Sequence, residues 1–584
     1  MHSSFLSTYL LTSSFVFLAA SIPTRSCKAI PGDPDWPLDA AWANLNKTVS
    51  GRLIRPVPPG AVCHRDQSFT PYDAGKCSAV QAAWTDWNFH TADLVSTGKP
   101  NWSNDTCLPF EGYPCDAAGY PTYVINATTT AHVQAGILFA NTYNLRLVIH
   151  STGHDLLGRS NAPNSLSVNT HHLKTLTVHD SFTPRECDPS NQHPAVTLGA
   201  GSQMAGVYSA LAEHNLTIVG GTGETVSLGG YISGGGYGVL TPWLGLAVDQ
   251  VLEVEVALPN GLVVVGNACQ NQDLLWAARG GGGSTFGVLL SATVKSYPSP
   301  EIVSVSFIAV ASSPYSPSTA SLVAYLLSQF PYFASHNMSG ALFGGPNQTV
   351  FTANPASAFS LGLDLMDSQD EGRVRDIFRP VEDHVRRQFP EFFVSVSTTA
   401  SPSWIEYYQT HKDNTGAGRD ELITSRLIGG KALTADTGAL QHAVDVLVEK
   451  GDLIIGTLVG GVGLFNADGA ATSVQPGWRT AILHLITTKT WPPLNQTALD
   501  IVKTDIEEMT IPLRALAPDT GAYINEASAL DPDWRRLYWG DNYKRLLEIK
   551  RTIDPTDVFW CPLCVGNERW QEINGRVCPV DCRK

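Results

Sequence analysis

The chain has 584 residues, 43% of them hydrophobic and 16% charged, which is apolar enough to fill ample cores and excludes a disordered protein. Its formal net charge is −15, and no Lys/Arg run extends beyond pairs such as Arg386–Arg387 and Arg535–Arg536, so nucleic acid is excluded as a partner.

The chain opens on the apolar stretch Phe5–Ala20, followed by Ser21, Pro23 and Arg25. A membrane span needs roughly 20 apolar residues, so residues 1–21 are predicted to be a secretory signal peptide. No later stretch is apolar for long enough to span, and a secreted enzyme with no membrane association is expected. Eight N-x-S/T sequons, at Asn46, Asn101, Asn104, Asn126, Asn215, Asn337, Asn347 and Asn495, predict N-glycans. Eleven cysteines concentrate at the two ends. Five disulfides and one free thiol is the simplest count, with the pairing open. The tail Cys561-x2-Cys564-x13-Cys578-x3-Cys582 has zinc-ribbon-like spacing, but behind a signal peptide oxidation to disulfides is preferred and no metal is expected.

Residues 27–119, rich in Pro, Trp and Cys, read as an irregular disulfide-clamped cap. From about 120 the texture becomes helix then strand: Ala131–Tyr143 has helical spacing at Val133, Ile137 and Ala140, and the apolar strand Leu145–Ile149 follows. The rhythm repeats over 201–220. Asn260-Gly261 between two β-branched runs predicts a hairpin, and this domain closes near 299. Over 300–525, long strands (Ile302–Val310, Leu453–Val462, Thr480–Thr488) mix with amphipathic helices (Ala320–Phe330, Thr437–Glu449), a second domain expected to hold a small-molecule substrate. Residues 526–584 carry a last helix, Tyr543–Ile553, and the cysteine tail. Gly199-x-Gly201-x4-Gly206 has the wrong spacing for a Rossmann fingerprint, which disfavours NAD.

Two segments carry the chemistry. Arg146–Ser160 (RLVIHSTGHDLLGRS) is a strand ending in a turn of Ser, Gly and His that can aim backbone N–H groups at a diphosphate and set His154 beside it. Leu228–Gly238 (LGGYISGGGYG) adds Gly234-Gly235-Gly236-Tyr237-Gly238, a run without Cβ atoms that lets backbone approach a nucleotide. Together they resemble the flavin-binding module of the vanillyl-alcohol-oxidase superfamily, most closely its berberine-bridge-enzyme-like branch, including the fungal isoamyl-alcohol-oxidase group. The resemblance runs from about 120 to 565.

That resemblance implies an α+β fold, with a two-subdomain FAD-binding domain of the PCMH type and an α+β substrate domain built on a large antiparallel sheet. It also implies FAD bonded to His154 through its 8α-methyl, with His150, Ser151, Thr152, Gly153, Asp155 and Ser160 around the cofactor. The family's turn reads R-S-G-G-H, so His150 puts a titratable cation where the family has a phosphate-facing Arg. Many relatives add a second bond from the Cys of C-P-T-V-G-V-G-G-H. The matching stretch here, Gly223 to Tyr231, places Gly223 at that Cys, so the flavin is expected to be held by a single histidyl bond. Val226 falls where the family gates O2, with plain core packing as the alternative, and Gly229 and Gly230 follow it along the cofactor. Asn542 and Tyr543 open the helix that in the family covers the flavin.

Tyr523-Ile524-Asn525-Glu526 resembles the family's A-Y-x-N-Y, whose last Tyr helps deprotonate the substrate. Glu526 replaces it, and a half-buried carboxylate can serve as general base, with Tyr523 and Asn525 beside it. A structural ion pair is the alternative for Glu526. Gln475–Arg479 resembles another family stretch and is read as packing. The resemblance thus implies a secreted FAD-dependent oxidase that passes hydride from an alcohol or activated C–H to flavin N5 and electrons to O2. An O2-insensitive dehydrogenase or a secondary-metabolite tailoring oxidoreductase or cyclase on the same fold stays open.

Overall fold

The computed structural model describes residues 26–349, 354–413 and 415–583. The expected signal peptide lies outside the described residues.

Residues 123–295 build two sheets. Tyr123–Asn126, Ser165–Asn169 and Arg146–His150 lie parallel in a four-stranded sheet whose edge is the short antiparallel Leu53–Ile54. Helix Thr130–Thr142 crosses over it and buries Val133, Ile137 and Ala140, the stripe expected from the sequence. Thr129 starts this helix by accepting from the His132 N–H. The second sheet is antiparallel and five-stranded, in the order Leu176–Phe182, His193–Gly199, Val288–Lys295, Val251–Ala257, Val263–Asn267. Its last two strands are the Asn260-Gly261 hairpin, with Gly261 at φ +79°, a left-handed position that suits Gly.

The substrate-domain sheet is antiparallel throughout and seven-stranded: Phe392–Ser401, Ile302–Ala311, Ala356–Met366, Met338–Gln348, Leu453–Leu458, Ala481–Trp491, Asp420–Gly429. Side chains alternate across a strand, and this sheet uses the alternation to separate its two faces. Val303, Val305, Phe307 and Ala309 are buried in one core with residues of the helices Thr319–Ser328, Glu371–Gln388, Thr437–Lys450 and Gln496–Leu516. Ser304 and Ser306, one step out of phase, look into the cavity between the domains. A second core joins the FAD-side sheet to the C-terminal residues Trp534, Tyr538, Trp539 and Leu546.

The N-terminal cap differs from its irregular reading, because it contains helices Asp39–Thr48, Ala74–Ala83 and Trp87–Ala92. They are short, and caps decide where two of them begin: Asp73 accepts from the Lys76 N–H and Asp86 from the Asn88 N–H. Apolar periodicity does not reveal such helices, since each buries only one or two residues in all.

Five disulfides join Cys27–Cys578, Cys63–Cys77, Cys107–Cys115, Cys187–Cys269 and Cys561–Cys564. Three of the four tail cysteines are therefore cross-linked, one of them to the other end of the chain. The eleventh, Cys582, has its side chain outside the described residues. No helix among the described residues is long and apolar enough to cross a membrane.

Candidate functional site

A cavity of about 1570 Å³ runs between the two domains. It exceeds the roughly 300–1,000 Å³ of an ordinary small-molecule pocket and has room for a dinucleotide and a second ligand.

The turn after strand Arg146–His150 forms one wall. Gly153 sits at φ +74°, and a Cβ there would come within 2.6 Å of the Ser96 carbonyl oxygen, so Gly lets the cap close onto the turn. His154 is stacked on Trp87 of the cap with ring centroids 3.7 Å apart, and its Nε2 lies 2.7 Å from Thr225 Oγ1. Burial, reinforced by nearby Lys99 and His90, holds its pKa down at about 3, so the imidazole is neutral and keeps a lone pair for bonding. Asp155 accepts from Arg159 Nε at 2.7 Å, and Arg159 Nη2 donates to Asn525 Oδ1 at 2.9 Å. Arg159 Nη1 and Ser151 Oγ are buried on this wall without any hydrogen-bond partner among the described residues. Two such groups beside a cavity are costly unless a ligand satisfies them. A diphosphate or the carbonyl edge of a flavin would do so, and the residues present fit FAD.

Ser160 also lines this wall. Its carbonyl accepts from His150 Nδ1 at 3.0 Å, which corrects the reading of His150 as a phosphate-facing cation. His150 is buried, does not line the cavity, and burial lowers its pKa, so it is a neutral ring whose remaining nitrogen is an acceptor. Arg159 is a cation of this wall, and sequence comparison at the Arg position could not have shown it. Thr152 lines the same wall, its Oγ1 3.4 Å from Ser227 Oγ.

Gly223, Val226, Gly229 and Gly230 all line the cavity, and a Cβ on Gly223 would meet Val226 Cγ2 at 2.9 Å. The run Gly234–Gly238 divides. Tyr237 and Gly238 face the cavity, whereas Gly234, Gly235 and Gly236 do not line it and instead admit close protein packing. A Cβ on Gly234 would lie 2.2 Å from Asn525 Nδ2. These three glycines thus fix the site's own side chains rather than receive the nucleotide.

Among the glycines that line the cavity and escaped the sequence reading, Gly282 and Gly283 stand together, with Ser284. The four consecutive glycines 280–283 were the available signal. This loop is held from behind by the C-terminal segment: Trp539 Nε1 donates to the Gly280 carbonyl at 3.0 Å, and Lys550 Nζ donates to the Thr285 carbonyl at 2.7 Å. Lys550 is fully buried and pairs with Asp554 at 2.6 Å. Asn542 and Tyr543 are a second correction, since neither lines the cavity. Asn542 Nδ2 donates to the Val474 carbonyl and Tyr543 OH to Glu568. The last helix acts on the site through Lys550, from behind the glycine loop.

Glu526 stands where the cavity meets the substrate-domain sheet. Tyr237 OH donates to its Oε2 at 2.7 Å. Although 31% of its side chain is accessible, that surface adjoins the cavity and protein encloses the carboxylate, so desolvation pushes its pKa up to about 7 against the lowering effect of the Tyr237 bond. Tyr523 OH accepts from Asn525 Nδ2 at 2.8 Å, and burial raises the pKa values of Tyr523 and Tyr237 far above the ordinary phenol range. Near neutral pH the carboxylate is therefore the group of this trio that can lose and regain a proton. The opposite wall carries Ser304, Thr457, Thr488 and Asp364, the last accepting from Ser304 Oγ at 2.7 Å and Tyr407 OH at 2.8 Å.

Comparison with known proteins bears on this arrangement. Residues 121–267 match the FAD binding domain family and residues 522–566 the berberine and berberine-like family. An uncharacterized FAD-linked oxidoreductase of Arthroderma benhamiae is 33% identical over 97% of this chain and 99% of its own. The bifunctional decalin synthase of Penicillium decumbens is 34% identical over 98% and 99%. Among solved structures, a VAO-type flavoprotein of Myceliophthora thermophila superposes with a TM-score of 0.88 at 28% identity, covering 95% of this chain and all of that one.

Proposed function

The chain belongs to the FAD-linked oxidoreductases of the vanillyl-alcohol-oxidase type with a berberine-like C-terminal segment, and from that premise we propose that it is a secreted, N-glycosylated oxidase of alcohols or activated C–H donors. FAD, when bound, would supply the hydride acceptor and would pass the electrons on to O2 as H2O2. The observation that carries the reading is Glu526, a carboxylate at the cavity wall whose pKa is raised to about 7 and whose Oε2 is held by Tyr237.

His154 is the residue that carries the cofactor. In the tautomer that donates Nε2–H to Thr225 Oγ1, the lone pair of the neutral ring resides on Nδ1, and Nδ1 would hold the flavin at its 8α carbon, with two electrons and two protons passing to O2. Gly223 offers no thiol, so this bond is single. Burial, with Lys99 and His90 nearby, keeps the imidazole uncharged, the state in which it is a nucleophile. Arg159 and Ser151 would hold electron-rich oxygens of the cofactor. When a substrate alcohol gives up hydride, its hydroxyl proton passes to the Glu526 carboxylate and is returned to solvent after product leaves. Val226, small and on the cofactor wall, leaves the space that O2 needs.

Because the base must be ionised, flavin bleaching by substrate under anaerobic stopped flow should slow about tenfold per pH unit below 7. Glu526→Gln keeps size but cannot take the proton, and a loss of about 10²–10⁴-fold is expected. Bleaching by Glu526→Gln at the wild-type rate with the wild-type pH profile would place the base elsewhere. A second reading, a tailoring oxidoreductase or cyclase of secondary metabolism, is favoured by the likeness to the decalin synthase. Stoichiometric peroxide release during turnover separates the two.

A further inference from the structure

His484 lies in the strand Ala481–Trp491, is 0% exposed, and neither of its ring nitrogens has a hydrogen-bond partner among the described residues. Leaving both nitrogens of a buried imidazole unpaired is unfavourable, and the nearest charged group is the site's own carboxylate: His484 Nδ1 is 3.6 Å from Glu526 Oε2. Aromatic rings enclose the histidine. The Tyr237 ring meets it edge-on at 5.4 Å, Trp478 lies at 5.9 Å and Tyr523 at 6.2 Å.

We propose that His484 is a positioning residue for the general base: its neutral ring donates Nδ1–H to Glu526 Oε2, with Tyr237 OH as second donor, which fixes that oxygen and leaves Oε1 as the atom that receives the substrate proton. This rests on the assignment of Glu526 as base. No hydrogen bond from the described residues reaches Oε1, whereas Oε2 faces two donors. Closing 3.6 Å to hydrogen-bond length takes a carboxyl shift of less than 1 Å, of the kind that accompanies ligand binding. The ring stays neutral through this cycle, because burial lowers its pKa to about 3, so it acts as a fixed donor and does not compete for the proton. The other groups facing the carboxylate are Tyr237 from the glycine loop, Tyr523 and Asn525 from its own segment, and Asp413 from beyond helix Trp404–His411. Facing His484 itself, Glu526 is the one charged group among the described residues.

A donor to the ionised form lowers a carboxylate's pKa, so its removal must raise the apparent pKa of the reductive half-reaction. The test is the stopped-flow bleaching rate against pH for flavin-loaded wild type, His484→Leu, His484→Met, His484→Asn and Glu526→Gln. His484→Leu and His484→Met should shift the profile upward by about one unit, a rate about tenfold lower at pH 6 with convergence toward wild type at high pH. His484→Asn, which can present an N–H near the place of Nδ1, should restore the wild-type midpoint, an outcome that repacking alone does not give. Using both Leu and Met keeps the test open if one of them fails to load flavin. A midpoint unchanged in either donor-free variant while Glu526→Gln abolishes the ionisation overturns the role of His484 and leaves the base in place. A wild-type ionisation that persists in Glu526→Gln overturns the base assignment, and this proposal with it.

Discussion

Lys550 offers a test of how the C-terminal segment holds the flavin wall. Its ammonium is buried at the end of helix Asn542–Ile553 and donates to three oxygens: Asp554 Oδ2 at 2.6 Å, the Phe559 carbonyl at 2.6 Å and the Thr285 carbonyl at 2.7 Å. Burial lowers its pKa, and the Asp554 charge opposes that shift. Lys550→Met keeps most of the side-chain volume but strands the Asp554 carboxylate, which retains the Val558 and Phe559 N–H groups as donors, and unpairs two carbonyls. Breaking a buried ion pair from one side costs about 3–5 kcal/mol. At about 2–4 °C per kcal/mol for a domain of this size, the melting temperature should fall by roughly 6–20 °C. Thr285 directly follows the cavity-lining Gly282–Ser284, so flavin incorporation during expression should fall as well. Thermal unfolding followed by tryptophan fluorescence, with the ratio of flavin to protein absorbance, reads both. Lys550→Met/Asp554→Asn should recover part of the stability by removing the stranded charge. A single variant melting within about 1 °C of wild type with full flavin content would refute the view of Lys550 as the clamp of this loop.

Other outcomes follow from the same geometry. Val226→Leu should slow reoxidation of the reduced enzyme by air while leaving anaerobic reduction nearly unchanged, and equal slowing of both half-reactions would make Val226 a packing residue. Thiol titration of the unfolded, unreduced chain should find about one thiol, from Cys582, by the odd count of eleven cysteines against five disulfides, and several thiols with bound zinc would contradict the disulfide assignment. Enzymatic deglycosylation should reduce the mass of protein produced through a fungal secretory pathway, with Asn104, Asn215, Asn337, Asn347 and Asn495 the acceptors whose side chains are exposed; an unchanged mass would exclude N-glycans.

Where local residue order fixes a structural feature, the sequence was sufficient. The stripe of Val133, Ile137 and Ala140, the Asn260-Gly261 hairpin and the cavity-facing turn Ser151–Asp155 depend on neighbours along the chain, and each stands where its pattern put it. What could not be read depends on contacts between distant segments. Trp87 stacks on His154 across 67 positions, Arg159 reaches Asn525, and His484 reaches Glu526 from another strand. No periodicity encodes such meetings. Glycine runs mislead for a related reason: the absence of a Cβ shows that something approaches closely, but not whether it is a ligand. At Gly234 the visitor is the Asn525 side chain, whereas Gly282 and Gly283 adjoin the cavity. His150 shows the same limit in electrostatics, because its charge state depends on burial that the motif does not reveal.

A neutral His154 facing Thr225 would hold the flavin by one bond. Mass spectrometry of the peptide containing His154, from protein precipitated in acid to strip free flavin, tests this most directly. That peptide should be heavier by one FAD, the precipitate should be yellow, and His154→Ala should give a colourless precipitate with all of its flavin in the supernatant. An unmodified His154 peptide, or yellow colour that stays with the His154→Ala precipitate, would contradict it.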